Sequence, residues 1–388
     1  MDKKIYFPNL NGIRFIAALA VIIHHIEQIK FFFGYDNAWD NPYIRIIGKL
    51  GVILFFVLSG FLITYLLLTE KQLGGISIRS FYIRRILRIW PLYYLIVLLG
   101  LFVFPHIDFL YVAESHRTDA IQDHFMVKVA LFVLFLPNLA LSGFAPVPYI
   151  AQTWSVGVEE QFYLIWPVLI KKIKNTLGVL LGVIAFYLAV KFVLIAVNAH
   201  SGIFDRNKIL HGLFGFWDEF NIDCMAIGGI AAYLLFHKKE KVLSFLFNIY
   251  TQIGIYTLLI VAITSRFYIH NLLFECYSVL FAIIILNLAA NPQTVLRLEN
   301  RVFGYLGKIS YGLYMYHYVM VACAIKLLDA FAIRNNILIY CLSIAFTILI
   351  SSLSYEFFEK RFLKLKKRFT LVASGNDGAE ESVGLKNN

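Results

Sequence analysis

Residues 11–26 read NGIRFIAALAVIIHHI, an apolar helix-forming run that carries Arg14, His24 and His25. Ionisable groups are costly in hydrocarbon and mark function when they occur there, so the reading of this run depends on whether it lies in a membrane. Composition settles that. The 388-residue chain is 60% hydrophobic and 15% charged, with a mean hydropathy of +0.72. Soluble domains carry about 25% charged residues. The whole chain therefore reads as an all-α integral membrane protein rather than a soluble domain with one anchor.

The aromatic content of 16% suits membrane interfaces, where Tyr and Trp settle with the ring in and the polar edge wet. Cys224, Cys276, Cys323 and Cys341 are scattered through apolar runs without metal-ligand spacing, so neither a disulfide framework nor a metal site is expected. The net charge of +11 sits in short clusters between apolar runs, which argues for cytoplasmic loops and against nucleic acid. No cleavable leader is expected, because no small-residue cleavage site follows the first apolar run.

A span needs roughly 20 apolar residues. Ten are expected, near 13–33, 48–69, 90–105, 154–170, 175–198, 213–236, 249–266, 271–291, 303–327 and 336–357. The shorter apolar run 128–142 precedes a stretch containing Gly143, Pro146 and Pro148, which cannot continue a helix. Read as a re-entrant or surface segment, it leaves both termini cytoplasmic. That topology also puts "KKIK" (171–174), "HKKEK" (237–241), "RLENR" (297–301) and "EKRFLKLKKR" (359–368) inside. About 23 of the 35 Lys and Arg residues then face the cytoplasm, the expected bias. The membrane domain is expected over 1–368, with a disordered polar cytoplasmic tail over 369–388.

Arg14 and His25 are eleven positions apart, close to three helical turns, so both project from one face roughly 16 Å apart. His24 points about a quarter-turn away. Arg84, Arg85 and Arg88 in "SFYIRRILRIWPLYY" (80–94) form a cluster suited to planar, multi-donor recognition of phosphate. Glu159 and Glu160 in "TWSVGVEEQFYLIWP" (153–167) lie deep in an apolar run and need a partner or neutralisation. The simpler alternatives are a snorkelling anchor for Arg14, a structural histidine, a positive-inside stop signal for the arginines, and a helix-start acid. Ser59 and Gly60 in "FFVLSGFLITYLL" (55–67) are small residues of the kind that serve helix packing. His317 in "LGKISYGLYMYHY" (306–318) and Asp223 in "FNIDCMAIGG" are further ionisable groups in apolar surroundings. Together they describe a phosphate-suited patch on the cytoplasmic side and a histidine base with a carboxylate deeper in.

The motifs "NGIRFIAALAVIIHH", "GVILFFVLSGFLIT", "FYIRRILRIWPLYY", "TWSVGVEEQFYLIWP" and "LGKISYGLYMYHY" in this order resemble the membrane-bound acyltransferase-3 family, typified by bacterial O-antigen and exopolysaccharide O-acetyltransferases. The resemblance covers all but about the last twenty residues. The family's Arg followed eleven positions on by His falls on Arg14 and His25, its arginine-rich motif on Arg84, Arg85 and Arg88, and its acidic motif on Glu159, with Glu160 beside it. The resemblance implies a multi-pass protein of the bacterial inner (plasma) membrane. It would pass acyl groups from cytoplasmic acetyl-CoA, or another acyl-CoA, to a hydroxyl of a surface or lipid-linked glycan. No metal is called for; membrane lipids are the surroundings, and a second copy or a glycan-assembly protein is allowed for as partner. His25 would act as base or acyl relay with Glu159 as its partner, and the arginines, with Arg14, would hold the donor. Two departures stand out. Asn221 occupies the place where the family often has Arg before its middle aspartate, here Asp223. Many members also carry a hydrolase-like domain after the last span, for which this chain has no room. A proton-coupled transporter or flippase of an anionic or lipid-linked solute is the rival reading, and a membrane sensor or scaffold a third; the lack of a convincing internal repeat weighs against transport.

Overall fold

A computed structural model describes residues 5–111, 124–265 and 271–370, whose regular elements are all helices, with no β-strand among them. Helices α1 (Leu10–Phe32), α2 (Pro42–Gln72) and α3 (Ile78–Phe102) come first, then two short helices, α4 (Phe125–Val133) and α5 (Pro137–Gly143). Next are α6 (Trp154–Lys172), α7 (Thr176–Ser201), α8 (Lys208–Phe220), α9 (Ile222–Phe236), α10 (Glu240–Phe247), α11 (Ile249–Thr264) and α12 (Leu273–Ala290). The chain closes with α13 (Arg301–Lys308), α14 (Ser310–Ala330), α15 (Asn336–Ser354), a π-helical turn over Tyr355–Glu359 and α16 (Lys360–Lys366).

Helices occupy all ten expected positions. Among the described residues, seven stretches are long and apolar enough to cross a membrane, and an eighth is the pair α10–α11, bent by 64°. The remaining two, α6 and α14, run for 19 and 21 residues, about 30 Å at 1.5 Å per residue. They are more polar because they carry Glu159 and Glu160, and His317, Lys326 and Asp329. The chain is thus a multi-pass helical membrane protein.

The boundaries shift for identifiable reasons. Asn41 precedes Pro42 and accepts from the Tyr43 N–H, so α2 starts before the apolar run does, as an Asn N-cap with Pro at N1 allows. Ser77 caps α3 in the same way, and the arginine cluster expected ahead of that span lies inside its helix. The stretch 213–236 is broken at Asn221, whose φ of +38° is a conformation Asn tolerates. Run 128–142 is not one helix: Phe135 at φ +57° separates α4 from α5. Nine residues of α4 reach only about 14 Å, so the segment cannot cross, in line with the non-spanning reading. The tail expected over 369–388 lies outside the described residues from 371 onward.

Helix α1 runs antiparallel to α2, with Gly48 against His24 and Gly51 against Ala17 and Val21. Its other flanks meet α13, where Gly307 packs on the Asn11 backbone, and α14. Helices α2 and α9 cross at reciprocal glycines: Gly60 lies against the Met225 carbonyl and Gly228 against that of Val57. Small residues permit such close approach in membranes, where packing rather than hydrophobic exclusion drives association. A Gly60→Leu variant would have to separate the two helices. It is expected to be destabilised by about 1–3 kcal/mol, read as a lower thermal midpoint in detergent; an unchanged midpoint would contradict the crossing.

Candidate active site

Two cavities lie at opposite ends of α1. The first, of about 230 Å³, is bounded by Arg14, Ser59, Arg85, Arg88, Glu159 and Glu359 among others. Arg14 donates to Asn11 Oδ1 at 2.9 Å. The Arg85 guanidinium lies 5.7 Å from the Phe81 ring centre and 5.8 Å from that of Tyr163, a cation–π arrangement. Among the described residues, none of Arg14, Arg85 and Arg88 has a carboxylate within ion-pair distance. Ser59 bonds the Tyr163 hydroxyl, which in turn donates to Glu159 Oε2 at 3.2 Å. Three arginines without ion pairs give this cavity groups of the kind that recognise anions, with the carboxylates of Glu159 and Glu359 on the same wall.

Two residues of the expected set are engaged elsewhere. Arg84 is buried, pairs with Glu70 at 2.5 Å and donates to the Phe369 carbonyl at 2.9 Å. It fastens α3 to the end of α2 and to the C-terminal segment, and it does not border the cavity. Glu160 accepts from the Trp90 indole at 3.0 Å and likewise lies off the cavity. One turn of α6 thus sends adjacent carboxylates to different neighbours, and of the two only Glu159 borders the cavity.

At the other end, His25 Nδ1 lies 3.0 Å from the Val21 carbonyl and 3.0 Å from His317 Nε2, while His317 Nδ1 lies 2.6 Å from the Tyr314 carbonyl. A carbonyl only accepts, so His317 carries its proton on Nδ1 and presents a lone pair at Nε2. His25 must then carry its own proton on Nδ1, shared between His317 and Val21. Its Nε2 is left as an unprotonated acceptor with no partner among the described residues. His24 is spent differently, bonding the Ile44 carbonyl at 2.7 Å and meeting the Trp39 ring. The two adjacent histidines thus face different neighbours, as their helical phase requires. His25 borders the second cavity, of about 280 Å³, and not the first.

Glu159 is not in contact with His25. Its described partner is Tyr163, and the described partner of His25 is His317. Between the cavities stands Tyr314, whose hydroxyl bonds Ser155 at 2.6 Å and the Gln152 carbonyl at 2.9 Å, and whose own carbonyl sets His317. The tyrosines of "SYGLYMYHY" read from sequence as interfacial belt; Tyr314 is instead the partition of the site.

Asp223, expected to pair with another helix, is buried without a side-chain hydrogen-bond partner among the described residues. It lies near the Lys191–Glu275 ion pair (2.9 Å) and borders neither cavity. Glu359 escaped the sequence reading because it stands in a run of like-charged lysines and arginines. The π-helical turn over Tyr355–Glu359 turns it inward to Ser354 at 3.2 Å; such turns recur at functional sites.

A family model described as "Acyltransferase domain" matches residues 7–356. The peptidoglycan O-acetyltransferase OatA of Listeria monocytogenes is 29% identical over 377 residues, covering 91% of this chain and 55% of that protein. The Bacillus subtilis protein YrhL, provisionally assigned as a peptidoglycan O-acetyltransferase, is 28% identical over 369 residues, covering 92% and 54%. A Staphylococcus aureus protein provisionally assigned as an O-acetyltransferase, SACOL0978, is 26% identical over 385 residues, covering 93% and 58%. The chain therefore spans a little over half the length of these relatives. No solved structure matches it significantly.

Proposed function

The chain belongs to the acyltransferase-3 family, and on that footing we propose that it is an O-acyltransferase of the bacterial plasma membrane. It takes an acyl group, acetyl in the first instance, from acyl-CoA at the Arg14 end of α1 and passes it to a glycan hydroxyl at the His25 end. The names of its relatives favour a cell-wall polysaccharide as acceptor over O-antigen or exopolysaccharide. The carrying observation is the trio Arg14, Arg85 and Arg88, unpaired on one cavity, about 16 Å along the same helix from His25.

The donor's phosphates occupy the arginine cavity, on the cytoplasmic side if the lysine and arginine bias sets the topology, and the pantetheine arm runs past Tyr314 towards His25. Nε2 of His25 takes the proton of the acceptor hydroxyl. The alkoxide oxygen bonds the thioester carbonyl carbon, the C–S bond breaks, and CoA leaves as thiolate to be protonated. In the relay version Nε2 itself bonds that carbon first as the C–S bond breaks and CoA leaves as thiolate; the acceptor oxygen then bonds the carbon, the C–N bond breaks, and the hydroxyl proton is released to neutralise the thiolate. His317 accepts the Nδ1–H of His25 in either version and steadies the imidazolium. Trapping an acyl-histidine by acid quench separates them.

The test uses labelled acetyl-CoA with membranes containing the full chain. Arg85→Gln is expected to raise the donor KM roughly 10- to 100-fold with little change in kcat, since a charge-assisted hydrogen bond contributes about 1.5–3 kcal/mol to ground state and transition state alike. Arg84→Gln is expected to do something else. It strands buried Glu70, costing about 3–5 kcal/mol of stability, and so lowers the thermal midpoint and yield. Equal donor KM effects at both positions would refute the assignment of the cavity.

A further inference from the structure

The second cavity is chemically unlike the first. Among the described residues, no Asp, Glu, Lys or Arg lines it. Its wall is aromatic, from Trp154, Tyr149 and Tyr318, and its polar groups are His25, Gln28 and Gln152. Such a surface does not recognise the phosphates of a nucleotide donor.

The polar groups have a definite sense. Gln152 is 2% exposed, and its Nε2 lies 3.0 Å from the Tyr149 carbonyl and 2.9 Å from that of Met315. Two carbonyls on one end fix that end as the NH₂. Both N–H groups are therefore spent, and Oε1 is a buried acceptor without a partner among the described residues. Buried polar atoms are seldom left unmatched in folded proteins, and Gln152 is one of the residues that line the cavity. His25 Nε2 is the second unmatched acceptor, by the tautomer chain that runs from the Tyr314 carbonyl through His317. Gln28 differs again: its Oε1 accepts from Tyr318 at 3.1 Å, which leaves its NH₂ to donate.

Two acceptors and one amide donor, set in an uncharged aromatic wall, complement a ligand with several O–H groups and an apolar C–H face. A lipid chain would leave both acceptors unmatched, and an anion would be repelled by them. We infer that the second cavity is the acceptor subsite and takes one neutral pyranose ring, stacked on the aromatic side chains, with hydroxyls donating to Gln152 Oε1 and His25 Nε2. The hydroxyl that reaches Nε2 is the one acylated, so Gln152 selects which hydroxyl that is. This assignment rests on the acyltransferase reading for its chemistry, and on the cavity alone for its ligand class.

The two are separable by experiment. Full-length protein in nanodiscs, without any acyl donor, is titrated calorimetrically with chitotetraose, cellotetraose and maltotetraose. At least one is expected to bind, and Trp154→Ala and Gln152→Leu are each expected to weaken that binding at least tenfold. Thermal midpoints control for folding; Trp154→Phe and Gln28→Leu serve if either first variant fails to fold. Binding of none of the three sugars, or binding unaltered in folded variants, overturns the proposal. So does displacement of the sugar by a fatty acid that itself binds in a Trp154-dependent way. If sugar binds as expected and labelled acetyl-CoA still gives no acylated sugar, the acyltransferase reading falls and the sugar site stands.

Discussion

Replacing His25 with alanine is expected to lower the transfer of label from acetyl-CoA to acceptor by a factor on the order of 10²–10⁴, the range that a positioned general base contributes. Donor affinity should stay within about twofold, because Arg14 is roughly 16 Å away along α1 and the arginines proposed to hold the donor border a different cavity. His24→Ala is the internal comparison. His24 bonds the Ile44 carbonyl and packs on Trp39, so its loss should soften the turn between α1 and α2 and leave the rate per folded molecule within about tenfold. A His25→Ala enzyme that retains most of its turnover would remove His25 from the reaction. An equal loss at His24 would mean that the turn, rather than the imidazole, is what activity requires.

The second large effect is expected at a residue that touches no substrate. His317→Leu takes away the acceptor for the His25 Nδ1–H. The ring is then free to move its proton to Nε2, where no base or nucleophile remains. Selecting the wrong tautomer in a serine-protease triad costs about 10⁴ in kcat. A loss on the order of 10²–10³ is expected here, because the Val21 carbonyl at 3.0 Å still favours the working tautomer. His317→Gln can present an amide oxygen to Nδ1–H and should recover at least tenfold of that loss. The effect belongs in kcat, with both KM values little changed. Nitrogen NMR of the labelled His25 ring should show a proton on Nδ1 in the wild type and a mixture of tautomers in His317→Leu. A single Nδ1–H form in the leucine variant would assign His317 a packing role only.

The candidate residues were legible one by one, and their connections were not. The eleven-residue spacing places Arg14 and His25 on one face because a single helix has a known period. No such period relates residues on different helices. Glu159 was expected beside His25 on chemical complementarity, yet the two have different partners, and Tyr314, bonded to Ser155 through its hydroxyl and to His317 through its carbonyl, stands between their helices. The arginine cluster shows the same limit. Spacing shows that Arg84 and Arg88 share a face, yet only the fold shows that Glu70 has claimed Arg84 while aromatic rings hold Arg85. Glu359 and the orphan oxygen of Gln152 carry no local signal at all; each matters through what surrounds it.

From the sequence alone follow the membrane class, the positions of the helices and the identity of the ionisable residues that a membrane would not tolerate without cause. These depend on hydropathy and helical phase, which are properties of a segment and survive its removal from the fold. The tertiary structure decided the rest: that the candidate residues divide between two cavities, one lined by arginines and one without charged side chains among the described residues, and that His25 meets His317 rather than Glu159. Hydrogen bonds between helices act over about 3 Å, far less than the width of a helix. Which side chains meet is therefore set by how the helices pack and at which residues they cross.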